Sequence, residues 1–160
     1  MTERGALEST LVLIKPDAVR RGLVGTITGR LEAKGLIIRG MRSFVFTEEL
    51  CRDHYAHLAD RPFFPGLVAF MTSGMTVAVW VSGVDAVEVV RGMCGATNAR
   101  EAVPGTIRGD LAMSTQRNLV HASDARDSAQ VELGRFFPDG PSAPEDAAVV
   151  GAVYSPAEVA

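Results

Sequence analysis

Four short apolar segments alternate with helix-like stretches along this chain of 160 residues, and their order constrains the fold more than any other feature. Each segment is rich in apolar residues, mostly Val, Leu or Ile, and has Gly, Pro or polar residues at its ends, a pattern typical of buried strands. We predict strands over residues 10–14, 36–46, 75–83 and 118–122.

The stretches between the strands have features of helices. Residues 22–35 carry apolar side chains at helical spacing and end at Gly35, and Thr47 is the predicted N-cap of a helix that runs to residue 60. Further helices, one closed by Gly74 and the last capped by Ser123 or Asp124, are predicted over residues 63–74, 84–95 and 123–137.

Helices follow the first and third strands, and the second and third strands are joined through a helical insertion. This order predicts an α+β fold, a βαββαβ unit whose four-stranded antiparallel sheet is covered by helices. The composition changes only near Pro138. We therefore expect residues 1–137 to form one domain, and the Pro- and Ala-rich tail 138–160 to be disordered or to pack on a neighbouring subunit.

Composition excludes several classes of protein. An apolar content of 47% is enough for one hydrophobic core, and a net charge of −3 is unlike the basic excess of a dedicated nucleic-acid binder. No apolar run reaches membrane-spanning length and no signal peptide is visible, so we expect a cytoplasmic protein without a membrane partner. Cys51 and Cys94 lack metal-ligand spacing and are interpreted as free thiols.

A long irregular stretch, residues 96–117, shows no apolar periodicity. Long loops inside a compact domain tend to be functional. Four arginines lie in or beside this loop, at positions 91, 100, 108 and 117. Guanidinium groups match phosphate oxygens in pairs, so the loop is either an anion site or a solvated charged surface, and composition alone does not separate the two.

The segment NLVHASD (118–124) places His121 where the last strand meets the last helix. This imidazole is either a packed core residue or a nucleophile. In a regular strand Asn118 and His121 would face opposite sides, so we expect Asn118 to precede the strand. Lys15 lies at the end of the first strand. It is not in the last turn of a predicted helix, where a cation would be explained by its interaction with the helix terminus.

Glu132 falls on the apolar stripe of the last helix, where a carboxylate is costly unless a donor meets it. Either it lies at the edge of the stripe, paired with Arg135, or it accepts a ring N–H from His121. The second arrangement would fix the tautomer of His121 and leave its other ring nitrogen bare for attack.

No P-loop is present, since GTITGR (25–30) lacks the Gly-Lys-Ser/Thr ending. Four longer motifs nevertheless stand in a specific order, and with them the chain resembles a nucleoside diphosphate kinase from about residue 9 to 137. The motifs are IKPDAVRRGLVG (14–25), HYAHLADRPFFPGLV (54–68), RGMCGATNAREAVPGTIRGD (91–110) and NLVHASDARDSAQVELGRFF (118–137).

The resemblance implies a ferredoxin-like fold and a phosphotransferase that passes the γ-phosphoryl of ATP or another triphosphate to nucleoside diphosphates by a ping-pong route, maintaining triphosphate pools. His121 matches the histidine that is phosphorylated on Nδ1. Glu132 matches the glutamate that orients it, and Tyr55 matches a supporting tyrosine. Lys15 and Asn118 match contacts to the sugar hydroxyls, with Lys15 also near the transferred phosphoryl group.

The remaining matched residues bind the nucleotide. Arg91, Thr97 and Arg108 match phosphate ligands, and Phe63 matches the ring on which the base stacks. The resemblance further implies Mg²⁺ that arrives with the nucleotide phosphates, no protein metal ligands, and a homo-oligomer, either a hexamer or a tetramer. Two positions depart from the family pattern: Ala122 replaces the usual glycine and Ala125 the usual serine. Neither is a matched ligand, so we expect catalysis to be retained.

Two other functions are compatible with the same residues. One is a non-catalytic nucleotide-binding protein that kept the fold, against which the intact set of matched residues argues. The other is a phosphotransferase specialised for an unusual nucleotide or for protein histidines. Labelling of the protein by Mg-ATP and transfer of the label to GDP would separate the three.

Overall fold

A computed structural model of the chain describes residues 5–159. Its centre is one four-stranded antiparallel sheet with the spatial order β2-β3-β1-β4, which confirms the predicted sheet. The strands are β1 (Leu7–Ile14), β2 (Ile37–Val45), β3 (Met75–Val84) and β4 (Val120–Ala122). Strands β1 and β3 lie in the middle, and β4 is a short edge strand that pairs only with β1.

Helices cover both faces of the sheet. They are α1 (Pro16–Arg20), α2 (Val24–Lys34), α3 (Glu48–His54), α4 (Phe64–Met71), α5 (Ala86–Cys94), α6 (Ile107–Leu111), α7 (Arg126–Phe136) and α8 (Ala147–Val153), with a 3-10 turn at Ala56–Leu58. Along β1, alternate side chains enter opposite cores: Val12 and Ile14 pack with α2 and α5, whereas Leu11 and Leu13 pack with α3, α4 and α7. Alternation of this kind is what a strand buried on both faces requires.

Several helix boundaries differ from the sequence-based prediction. Thr47 does cap α3, because its hydroxyl accepts the N–H of Leu50 at 3.1 Å, but that helix ends at His54 rather than near residue 60. The N-cap of α7 is Ala125, not Ser123 or Asp124. Both predicted caps are engaged elsewhere, since Ser123 bonds Glu132 and Asp124 bonds Arg91.

The tail after residue 137 contains helix α8, which packs on the chain's own domain. Val150 is buried, and the hydroxyl of Tyr154 accepts the N–H of Val84 at 2.9 Å. The N–H of Ala143 donates to the carbonyl of Arg39 on β2 at 3.0 Å. The domain boundary at residue 138 and packing of the tail on a neighbouring subunit stay predictions. Within the described residues, no helix combines the length and apolar character required to cross a membrane.

Candidate active site

One cleft of about 590 Å³ collects most of the residues that the sequence singled out. It opens beside β4 and is bounded by α4, α5 and the loop after α5. Eight of the nine predicted site residues line it: Lys15, Tyr55, Phe63, Arg91, Thr97, Arg108, Asn118 and His121. Glu132, the ninth, contacts His121 from α7. Of the other two loop arginines, Arg117 lines the cleft, whereas Arg100 is not among its lining residues.

His121 lies on β4 opposite Leu13 of β1, with its side chain 19% exposed. Its Nε2 is 3.0 Å from Oε1 of Glu132, so the carboxylate faces the ring as one of the two alternatives predicted. Arg135, the alternative partner of Glu132, instead donates to Asp53 at 2.8 Å. His121 is therefore a half-buried residue at the wall of a cleft, not one sealed in the core.

Glu132 is held as an anion. Burial alone would raise the pKa of Glu132, but hydrogen bonds from His121 and Ser123 lower it overall. The second carboxylate oxygen, Oε2, accepts the hydroxyl of Ser123. An ionised carboxylate can only accept, so Nε2 of His121 carries a proton, and in the neutral ring Nδ1 keeps its lone pair.

A second histidine, which sequence reasoning missed, packs against the first. The rings of His54 and His121 are 4.8 Å apart between centroids and nearly perpendicular. The guanidinium of Arg135 donates to Nδ1 of His54 at 3.1 Å. Burial, and next the nearby His121, lower the pKa of His54 to about 3, so this ring is neutral at physiological pH. The only signal in the sequence was its place beside Tyr55 in a matched motif.

Three possible metal-ligand atoms lie within 4.8 Å of one another here, one each from His54, His121 and Glu132. These groups are better described as a hydrogen-bonded network than as a metal centre. Both oxygens of Glu132 and Nδ1 of His54 already accept hydrogen bonds, and the guanidinium of Arg135 beside them disfavours a cation. Tyr55 completes this wall of the cleft. Burial raises the pKa of its phenol, which therefore stays protonated.

Lys15 and Asn118 form a buried polar pair at the base of the cleft. The ammonium of Lys15 donates to Oδ1 of Asn118 at 2.6 Å, and the amide of Asn118 donates to the carbonyl of Thr97 at 3.0 Å. Burial lowers the pKa of Lys15 to about 8, against the opposing charge of Asp17, while Arg108 lowers it further. Asn118 precedes β4, which begins at Val120, and this confirms the position expected for it.

Two of the three arginines that line the cleft, Arg108 and Arg91, are held differently. Arg108 donates to the carbonyls of Asn118, Gly95 and Val120 at 3.2, 2.9 and 2.7 Å, so it ties the loop to β4 and keeps two of its five N–H groups for a ligand. Arg91 is half exposed and donates to Asp124 at 2.6 Å. The loop that carries Arg108 is not wholly irregular, because α6 lies within it and is capped by Thr106.

Phe63 lies at the mouth of the cleft, at the N-terminus of α4, with 43% of its surface exposed. A large ring exposed to this extent is not part of the core and offers a flat apolar face to a ligand. The cleft thus combines an apolar face at its mouth, four cationic side chains in its lining and a nucleophilic nitrogen on its wall. This combination suits a phosphorylated ligand with an aromatic group.

Comparison with known proteins points the same way. The family model described as nucleoside diphosphate kinase matches residues 8–141. The nucleoside diphosphate kinase of Archaeoglobus fulgidus is 50% identical over 133 residues, 83% of this chain and 88% of that protein. The enzyme of that name from Exiguobacterium sibiricum is 50% identical over 135 residues, 84% of this chain and 98% of that protein.

Solved structures extend this similarity to the fold. A halophilic nucleoside diphosphate kinase from Halobacterium salinarum in complex with CDP superposes with a TM-score of 0.88 at 44% identity, covering 92% of this chain and 99% of the other. A nucleoside diphosphate kinase from Encephalitozoon cuniculi gives a TM-score of 0.80 at 40% identity, covering 81% and 88% of the two chains.

Proposed function

This chain belongs to the nucleoside diphosphate kinase family, a family of phosphotransferases, and we propose that it moves the γ-phosphoryl of a nucleoside triphosphate to a diphosphate through a phosphohistidine at His121. The contact of Nε2 with Glu132 carries this proposal, because it leaves Nδ1 as the nitrogen that can attack. The reacting form is the neutral ring, which lies in the cleft that holds the cations.

In the first half-reaction Nδ1 forms a bond to the γ-phosphorus while the bond from that phosphorus to the β–γ bridging oxygen breaks. The diphosphate leaves with that electron pair. The ring becomes cationic, and its Nε2–H is shared with Glu132, whose charge stabilises it. A second diphosphate then accepts the phosphoryl group by the reverse steps. Splitting one transfer between two anions into two steps is the benefit of a covalent intermediate.

The residues assigned to phosphate are Arg91, Arg108, Thr97 and Lys15. Phosphoryl transfer depends on in-line positioning and on stabilising charge at the phosphoryl oxygens, and cations arranged beforehand supply both. Arg108 is already oriented by its three carbonyl partners. Arg91 must exchange Asp124 for phosphate, a small rearrangement of two exposed side chains.

Mg²⁺ would neutralise charge on the phosphate oxygens, and we propose that it binds with the nucleotide. Among the residues that line the cleft, Asp124 is the only carboxylate, and it pairs with Arg91. A single carboxylate is too few for a protein cage but compatible with a cation that phosphates hold.

We assign the base to Phe63 and the sugar hydroxyls to Lys15 and Asn118. Every base has a π-face, so stacking on an exposed ring is tolerant of base identity, which suits an enzyme that maintains several triphosphate pools. ATP and nucleoside diphosphates are the proposed substrates. We propose a homo-oligomer, hexamer or tetramer, because this is what membership of the family implies. The buried free thiols of Cys51 and Cys94 support a cytoplasmic location.

The test is intact mass after brief exposure to Mg-ATP. We expect one acid-labile phosphoryl group per chain, which GDP then removes. His121→Ala should take no label while still binding ADP, and His57→Gln, at an exposed histidine of the same chain, should be labelled like the wild type. An unlabelled wild type would contradict the proposal and favour a binding protein. Label that common diphosphates do not remove would favour a specialised phosphotransferase.

A further inference from the structure

The backbone just before the proposed nucleophile is strained. Leu119 has a φ of 74°, and among residues 5–159 the only other non-glycine residue with positive φ is Asp85. The N–H of Val120 donates to the carbonyl of Asn118 at 2.9 Å, a bond from residue i+2 to residue i. Leu119 is therefore the central residue of a γ-turn of the positive-φ form, which is rare and strained.

This γ-turn solves a geometric problem in the site. Residues three apart in a regular strand point to opposite faces, yet Asn118 and His121 both line the same cleft. The reversal at Leu119 turns Asn118 back toward the cleft, while β4 resumes at Val120 and presents His121. The strained conformation is thus what brings Asn118, the residue proposed to contact the sugar, into the same cleft as the nucleophile His121.

A strained conformation persists only where its surroundings hold it. The side chain of Leu119 is fully buried, which anchors the turn in the core. Its carbonyl accepts the N–H of Lys15 at 2.8 Å, and its own N–H donates to Oδ2 of Asp17 at 3.1 Å. Asp17 lies in the first turn of α1, 102 residues away in sequence, and is the one side chain that bonds the amide of the strained residue.

We propose that Asp17 is a positioning residue for phosphoryl transfer, which holds the γ-turn at Leu119 in the conformation that directs Asn118 and His121 into one cleft. The inference rests on the proposed function. Asp17 itself does not line the cleft: its charge raises the pKa of Lys15, and its hydrogen bond acts through the backbone of Leu119, which is the effect that Asp17→Asn preserves. Its other oxygen, Oδ1, is buried without a hydrogen-bond partner in the described structure, so the carboxylate is kept there at a cost.

The experiment compares Asp17→Ala, which removes the acceptor, with Asp17→Asn, which keeps an oxygen of the same size. The measurements are the single-turnover rate of His121 phosphorylation by Mg-ATP at pH 7 and the dissociation constant of ADP. A displacement of about 1 Å at a reacting group costs about 100-fold in rate, and we expect a loss of that order for Asp17→Ala. The rate should fall by a larger factor than ADP affinity, and Asp17→Asn should recover most of it.

Glu8→Ala is the matched control. Oε1 of Glu8 accepts the N–H of Val87 at 2.9 Å and Oε2 pairs with Arg126, so this variant also removes a half-buried carboxylate–amide bond, together with an ion pair, at the opposite end of β1. We expect it to phosphorylate at close to the wild-type rate. Equal rates for Asp17→Ala and Glu8→Ala would overturn the inference, and so would an Asp17→Asn variant as slow as Asp17→Ala. If the wild type itself were not phosphorylated, the proposed function would fail instead.

Discussion

Nε2 of His121 lies 3.0 Å from Oε1 of Glu132, and this contact leaves the two ring nitrogens in different states. Because Glu132 is ionised, Nε2 is a donor and Nδ1 is free to attack. The position of the carboxylate depends in turn on Ser123, whose hydroxyl bonds Oε2. The proposed chemistry of one ring therefore depends on hydrogen bonds made on the side of the ring away from the reacting nitrogen.

Replacing Glu132 by Gln tests this dependence. The amide can meet Nε2 through its oxygen but carries no charge to stabilise the cationic ring, and its NH₂ group cannot accept the hydroxyl of Ser123. We expect phosphorylation of His121 to slow by about 10–100-fold, the usual cost of losing an orienting partner, with ADP affinity nearly unchanged. Rapid-quench kinetics measure the rate. Glu49→Gln, at an exposed residue of α3, is the control, and an unchanged rate for Glu132→Gln would remove Glu132 from the mechanism.

The lowered pKa of Lys15 predicts how nucleotide binding depends on pH. Burial lowers its pKa to about 8 in the free protein, so the ammonium is charged below that pH and neutral above it. Bound phosphates favour the charged form, and binding should therefore take up a proton near pH 8. We expect ADP affinity to fall by up to about tenfold per pH unit between pH 8 and pH 9.5.

Calorimetry in buffers of different ionisation enthalpy measures that proton uptake. Lys15→Arg keeps its charge throughout the range, so its ADP affinity should be almost independent of pH. Lys34→Met, at an exposed residue, should behave like the wild type. Proton uptake that survives in Lys15→Arg would assign the titration to another group.

Much of this structure was predictable from local patterns. The strands followed from runs such as TLVLI, and Glu132 was found because a carboxylate interrupted an apolar stripe. Periodicity along one helix carries that information. Periodicity could not predict helices α1 and α6, because each has only five residues and a segment so short shows no periodic pattern. Nor could it identify Ala125 as the cap of α7, since Ser123 and Asp124 were taken up by distant partners.

The residues that sequence reasoning missed act through contacts between distant segments. Asp17 meets Leu119 across 102 positions, and Arg135 meets His54 across 81. Neither pair has a spacing that a single element would reveal. His54 also has the ordinary appearance of a helical histidine in the sequence, and only its packing against His121 indicates a role. Tertiary structure is needed to see which groups hold the reacting ones.

The lowered pKa of His54 predicts that the free energy of unfolding decreases in acid. Its pKa is lowered to about 3 by burial and by His121, against 6.5 for an ordinary histidine. Between these values the unfolded chain binds a proton that the folded chain does not, so stability falls as the pH drops from 6.5 toward 3. The slope for one such group is about 1.4 kcal/mol per pH unit. We expect His54→Gln to lose less free energy of unfolding than the wild type between pH 7 and pH 5, measured by urea denaturation.

His57→Gln is the control for that measurement, because His57 is exposed on the turn that follows α3. Its pH dependence should match the wild type, whatever its absolute stability. An identical slope in His54→Gln and the wild type would mean that His54 accepts a proton in the folded state. The lowered pKa of Glu132 also makes the fold less stable in acid, and both variants retain that contribution.

Ala125, where the resemblance to the family implies a serine, leads to a prediction about stability. It is the N-cap of α7, with φ −153° and ψ 169°, and it makes no side-chain capping bond. A serine there could accept an N–H of the first helical turn, so Ala125→Ser should raise the free energy of unfolding by about 1 kcal/mol. Urea denaturation measures this. Gln130→Ser, in the exposed middle of the same helix, should instead lower stability slightly, because serine is a poorer helix former than glutamine. Equal effects of the two substitutions would contradict a capping role and would place the start of α7 elsewhere.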